Sequence, residues 1–574
     1  MKILWKYLKS YKIQLIIGPL FKLTEAILEL FLPFFMAKII DEGVLKGDLD
    51  YVLRTGMLMF FTATIGVLCA LVCQYSASIV SQGFGTKLRN GLFSHISQFS
   101  NEELDLFGTA SLTNRITNDT NQLQAAVAML IRLVIRAPFL CIGGLVMAVS
   151  LDASLSKIVF FVFIIFVILL LFTMRKNIPL YKKVQEKLDN IALLARQNLS
   201  GVRVIRAFST MKLEQDKLNE SNAEYTKVAT RVGILSGLLN PVTTLIMNLS
   251  LVAILWYGGV RVNNGAMKVG VVIAFLNYLT QILAALIIVS QLVVLYTKAF
   301  ASAQRVIEVL STKPSIVSGE KQVEWDNQYP YAIEFKDVSF VYEGGKEPAI
   351  EHASFQIKKG ETVGIIGGTG SGKSTLVQLI PRFYEVTEGE VKVNGENVKE
   401  YDKESLIQSV SFVPQHSVLF SGTILENLKM GKLDATEEEV KKASQIAQAR
   451  EFIEKMPKGY DSKIEQGGIN FSGGQKQRLA IARALVKNGN ILILDDSFHA
   501  LDYLTDKKLR AALKKERKNM TTLIISQRAS TIQEADQIIV LNEGAIVGVG
   551  PHDKLIDSCE VYREICESQM KKEA

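Results

Sequence analysis

Residues 362–375 read TVGIIGGTGSGKST, an apolar run entering a glycine-rich turn and then the apolar helix pattern LVQLI. The G-x-x-x-x-G-K-S spacing is that of a phosphate loop. Gly367, Gly368, Thr369, Gly370, Ser371 and Gly372 let backbone N–H groups curl round phosphate oxygens. Lys373 supplies a point charge, Ser374 offers a hydroxyl to Mg2+, and Thr375 completes the motif. A second apolar run, ILILDD at 491–496, ends in two carboxylates, the first of which, Asp495, is suited to holding Mg2+ through its water. Together they predict a nucleotide site that uses ATP and Mg2+.

Between the two runs lies FSGGQKQR, at 471–478. With the phosphate loop and ILILDD it resembles the ATP-binding cassette (ABC) proteins, and the whole chain resembles an ABC exporter half-transporter. The resemblance implies that Tyr342, in VSFVYEGG, stacks on adenine, and that Gln415, in SFVPQHSVLFSGTILENL, contacts Mg2+ and senses the membrane domain. In this family two cassettes face head to tail. Ser472, Gly473, Gly474 and Gln475 would therefore cap the γ-phosphate held by a partner, a second half-transporter. The segment SFHALD would cross to the opposing site with Asp502 at its end, and His499 within it is read as an interfacial residue rather than a catalytic one.

Two positions depart from the family pattern. Asp496 stands where glutamate usually acts as general base, and Gln527, in TTLIISQRAS, stands where a histidine is expected. Losing one methylene withdraws the carboxylate by roughly 1 Å, a misplacement that can cost about 10²-fold in rate. Glutamine can hydrogen-bond a γ-phosphate but cannot carry a proton as imidazole does. The signature is intact. This resembles the degenerate-site chain of bacterial heterodimeric multidrug exporters, whose own site is slow and whose signature completes the competent site of the partner. A homodimer with two slow sites is the alternative.

The elements that position these residues fall into halves of unlike composition. The 574 residues are 48% hydrophobic, with 65 Lys+Arg against 57 Asp+Glu. No nucleic-acid reader motif is present, so the basic excess is assigned to loops facing anionic lipid. Six segments can cross a ~30 Å hydrocarbon core: 13–40, 52–80, 133–150, 155–174, 233–257 and 269–296. The long polar loops 81–132 and 175–232 carry most of the Lys and Arg, which predicts both termini on the cytoplasmic side and three short turns outside, and the resemblance implies a bacterial cell membrane. The third and fourth spans barely reach the required length, so helices are expected to run on past the bilayer. The expected fold is a membrane α-helical bundle of exporter type (1–310), a linker (311–333) and a cytoplasmic α/β nucleotide-binding domain (334–574). The five cysteines suggest no disulfide framework.

Helical periodicity breaks at Gly108 and at Gly201, points that resemble the family's coupling elements. The first span carries Lys22, Glu25 and Glu29 on one face, where charge needs a partner or water. They are read either as structural ion pairs or as an acidic cavity patch that draws cationic cargo. Resemblance alone points to hydrophobic drugs as cargo. Lipids or peptides, and an ATP-gated regulatory role without pumping, are alternatives.

Overall fold

The computed structural model describes residues 1–326, 328–516 and 519–573. They form two compact units, 1–97 with 110–312 and 98–109 with 313–574.

The first unit is all helix. A short α1 (Lys2–Leu8) precedes α2 (Lys12–Lys38) and α3 (Leu49–Ile96), and α4 (Asn101–Phe107), which belongs to the second unit, interrupts the series. Then come α5 (Thr109–Leu151), α6 (Ala153–Ser200), the short α7 (Val202–Ala207), α8 (Met211–Asn263) and α9 (Val269–Ser311). Among the described residues five helices, α3, α5, α6, α8 and α9, are long and apolar enough to cross a membrane. In α2 the apolar run is interrupted by Lys22, Glu25 and Glu29. At 48 residues each, α3 and α6 extend roughly 70 Å at 1.5 Å per residue, more than twice a hydrocarbon core.

The short turn between α5 and α6 works because Asp152 caps α6, accepting from the N–H groups of Ser154 and Leu155 at 2.9 and 2.8 Å. The same carboxylate pairs with Arg261 of α8. Phe166, Ile254, Phe275 and Tyr278 are fully buried in the core of this unit, and the Tyr278 hydroxyl donates to the Leu30 carbonyl at 2.7 Å. The expected breaks at Gly108 and Gly201 are present. Gly108 ends α4 with φ 72°, and Gly201 separates α6 from α7.

The second unit is α/β. A four-stranded sheet has the order β2-β1-β4-β5, with β1 (Tyr331–Phe340), β2 (Ile350–Lys358), β4 (Glu388–Val393) and β5 (Glu396–Asn397). A six-stranded sheet has the order β12-β11-β3-β10-β9-β6. It contains β3 (Thr362–Gly367), β6 (Val410–Val413), β9 (Ile491–Asp495), β10 (Thr521–Ile525), β11 (Gln537–Asn542) and β12 (Ala545–Gly550). A two-stranded ribbon pairs β7 (Gly422–Thr423) with β8 (Lys463–Ile464). All but β12 of the six-stranded sheet run parallel, and β9 and β10 are buried along their whole length, as continuous apolar runs require. Helix α10 (Lys373–Gln378) enters the site, and α11 (Gly473–Lys487) and α12 (Tyr503–Glu516) follow the FSGGQ and SFHALD segments.

Candidate nucleotide-binding site

Parallel register assembles the site. Ile365 of β3 and Asp495 of β9 both stand level with Ile525 of β10, and Val413 of β6 is paired with Leu494. Whatever follows each strand is therefore delivered to one sheet edge, the carboxyl end, where open parallel sheets bind ligands. There a pocket of about 300 Å³ is lined by Tyr342, Thr369, Gly370, Gly372, Lys373, Ser374, Thr375, Gln415, Asp495, Asp496 and Gln527. Ala349, Ile525 and Ser526 complete the lining. These three follow no motif, and only their place after or beside the strands could have found them.

The loop needs glycine for two reasons. Gly372 has φ 91°, and a Cβ there would stand 2.4 Å from the Ala349 carbonyl oxygen. Gly367 has ordinary φ, but its Cβ would meet the Leu541 carbonyl oxygen at 2.2 Å. Gly367, Gly368 and Ser371 do not line the pocket. They hold the lysine: Lys373 Nζ donates to the Gly367 and Gly368 carbonyls at 3.0 and 2.6 Å and lies 3.4 Å from Ser371 Oγ. Burial lowers the Lys373 pKa, and Asp496 and Asp495 act against that.

Ser374 Oγ donates to Asp495 Oδ1 at 2.9 Å. Burial holds the Asp495 carboxyl above the usual range, opposed by the Ser374 hydrogen bond, reinforced by Asp496 and opposed again by Lys373. The Ser374 hydroxyl, the Asp495 carboxylate and the Gln415 amide all line this pocket, an oxygen donor set that fits a hard divalent cation such as Mg2+.

Asp496 is half-buried with φ 45°, a left-handed conformation in which Asp and Asn are enriched over other side chains. Its N–H donates to the Ile525 carbonyl at 3.1 Å. Gln527 is held from behind. Gln569, in the last helix, donates from Nε2 to the Gln527 carbonyl at 2.7 Å and accepts from the Ala529 N–H at 2.8 Å. No sequence signal marks Gln569. The Tyr342 hydroxyl lies 2.9 Å from Thr375 Oγ1, and its ring packs edge-on against Phe340 and Tyr384 while staying partly exposed.

Ser472, Gly473, Gly474 and Gln475 do not line this pocket. Ser472 is the exposed N-cap of α11. Its Oγ accepts from the Gln475 N–H at 3.3 Å and its N–H donates to Gln475 Oε1 at 2.9 Å, a reciprocal capping box. A Cβ on Gly473 would meet nothing, whereas one on Gly474 would lie 3.0 Å from the Ala500 carbonyl oxygen. Asp502 is exposed and accepts from the Thr505 N–H at 2.9 Å, the main cause of a carboxyl pKa below its ordinary value. His499 is exposed on the same loop. In the first unit, Glu25 takes both its bonds from Lys22 at 2.8 and 2.7 Å, and Glu29 pairs with Arg136 at 2.7 Å.

Residues 15–286 match the family model of the ABC transporter transmembrane region, and residues 350–499 match that of the ABC transporter. The chain belongs to the ABC transporter family. An uncharacterized ABC transporter ATP-binding protein of Mycobacterium tuberculosis is 37% identical, covering 99% of this chain and 98% of its own. The ATP-dependent lipid A-core flippase of Vibrio vulnificus is 29% identical over 98% of this chain and 96% of its own. The structure of a bacterial Atm1-family ABC exporter with ATP bound superposes with a TM-score of 0.79, at 25% identity and 99% coverage of both chains. This ABC chain is thus a membrane exporter of that fold with an ATPase unit, of a kind that works as a dimer.

Proposed function

We propose that this ABC chain is one half of a heterodimeric exporter whose own ATP site is slow and whose signature completes the fast site of its partner. The observation that carries the reading is that Asp496 and Gln527 line the same pocket as Lys373 and Asp495, while Ser472 and Gly473 stand exposed outside it. Lys373 would neutralise β- and γ-phosphate charge, and the Tyr342 ring would take the adenine. Ser374, Gln415 and Asp495 would hold Mg2+, which supplies positive charge to the phosphates when bound. The attacking water must then lose its proton to Asp496, whose carboxylate stops about 1 Å short of the place a glutamate reaches. Gln527 donates a hydrogen bond to the γ-phosphate without moving a proton. Binding survives in this arrangement and cleavage slows.

In the proposed orientation both termini and the second unit are cytoplasmic, in a bacterial cell membrane, and cargo is a hydrophobic or amphipathic compound taken from the cytoplasm or inner leaflet. The likeness to a lipid flippase supports an amphipathic cargo. The test is ATP-dependent accumulation of an amphipathic dye in inverted vesicles carrying this chain and its partner. Accumulation against the gradient is expected, and dye that only equilibrates would remove the pump.

A further inference from the structure

Gln527 reaches the nucleotide pocket from a loop whose backbone is tied down on both sides of it. The Ser526 N–H donates to the Ile365 carbonyl of β3 at 3.1 Å, and the Arg528 N–H donates to Ser526 Oγ at 3.0 Å. Gln569 adds two more bonds. Its Nε2 donates to the Gln527 carbonyl at 2.7 Å and its Oε1 accepts from the Ala529 N–H at 2.8 Å. One planar amide thus bridges two backbone groups two residues apart, which fixes the plane of the peptide after Gln527 and with it the direction of the Gln527 side chain.

Gln569 does not itself line the pocket. The last helix, α13 (Glu560–Glu573), carries it to the loop. Tyr562, Cys566 and Gln569 are spaced by four and then three residues, which places them on one helical face. Tyr562 is fully buried and Cys566 nearly so, in the same apolar core as Ala529 and Ile532 beyond the loop. The Tyr562 hydroxyl lies 2.8 Å from His552 Nδ1, which fixes α13 at its start. The helix is therefore anchored for about two turns before it reaches Gln569, and the amide meets the loop from a rigid base.

We propose that Gln569 is a positioning residue for the γ-phosphate: by fixing the backbone of Gln527 it keeps that amide aimed at the terminal phosphate, so that α13 sets how strongly this chain's own site prefers ATP to ADP. ADP lacks the γ-phosphate, so losing the aim weakens ATP alone. The magnitude follows from pre-organisation, since a side chain that must be ordered on binding loses part of the bond it makes. The inference rests on the proposed contact between Gln527 and the γ-phosphate, and it is independent of the cargo and of the partner's identity.

The test is a double-mutant cycle on the full-length chain in phosphatidylcholine nanodiscs, titrated with AMP-PNP or with ADP, each with Mg2+. The readout is the ratio of the two affinities. Gln527→Ala is expected to lower the preference for AMP-PNP by roughly 10- to 100-fold, the loss of one hydrogen bond to a charged group. Gln569→Met keeps the length of the side chain and removes both bonds, and it is expected to lower the preference by roughly 3- to 10-fold with ADP affinity unchanged. Combined with Gln527→Ala, it is expected to lower it no further, because the amide it aims is gone. A wild-type ratio in Gln569→Met, alongside a lowered one in Gln527→Ala, would overturn the inference and leave the Gln527 contact standing. An equal loss from Gln569→Met in the Gln527→Ala background would also overturn it, since the residue would then act through packing. No effect of Gln527→Ala would remove the γ-phosphate contact and the inference with it.

Discussion

Asp496 shows how one methylene and one dihedral act together. The residue sits at φ 45° with its N–H fixed on the Ile525 carbonyl, so its backbone cannot easily advance to recover the lost reach. Asp496→Glu should raise ATP turnover at this chain's own site by about tenfold or more, and adding Gln527→His should raise it further, measured as single-turnover phosphate release. Lys373, Ser374 and Asp495 were legible in the sequence because a phosphate loop and an acidic strand end need fixed residues at fixed spacing. The left-handed backbone of Asp496 and the clamp from Gln569 were not, since neither leaves a local pattern. Gln569→Ala should speed hydrogen exchange at 526–529 and leave the turnover of the partner's site unchanged, as seen by exchange mass spectrometry and steady-state assay.

At the scale of elements, α4 is held to its unit by Glu103, Asp105 and Ser100. The buried Glu103 carboxylate accepts from the Ser100 N–H and hydroxyl and from the Ser315 N–H, all at 2.7 Å. Tyr384 Oη donates to Asp105 at 2.6 Å. Burial would raise the Glu103 pKa, and the bonds from Ser100 and Ser315 outweigh it, leaving the carboxyl below its ordinary value. A depressed carboxylate stabilises the fold above its unfolded pKa and loses that contribution as pH falls through the folded value. Segment 98–109 should therefore lose exchange protection, relative to the intrinsic rate, as pH falls below the ordinary carboxylate range, and Glu103→Gln should reproduce this at pH 7 at a cost of about 1.5–3 kcal/mol. The break at Gly108 was readable from lost periodicity. The contacts of α4 were not, because Ser315 and Tyr384 lie more than 200 residues away in the chain. The long helices were readable from apolar length, whereas the π-turn at Leu130–Val134, just ahead of Pro138, needs the proline and its neighbours together.

At the scale of the molecule, the proposed heterodimer divides the labour unequally between its two chains. If Ser472 serves the partner, Ser472→Ala should abolish most ATP turnover of the assembled complex, after allowing about 1 kcal/mol for the lost cap of α11. Lys373→Ala should leave most of it. Equal loss in both variants points to two equivalent sites and a homodimer. The most direct measurement is ATP turnover by the full-length chain reconstituted without a partner, with Lys373→Ala as the control. Under the proposed division of labour the rate stays near that control and rises by about 100-fold in the Asp496→Glu, Gln527→His variant. Brisk wild-type turnover abolished by Lys373→Ala would contradict it.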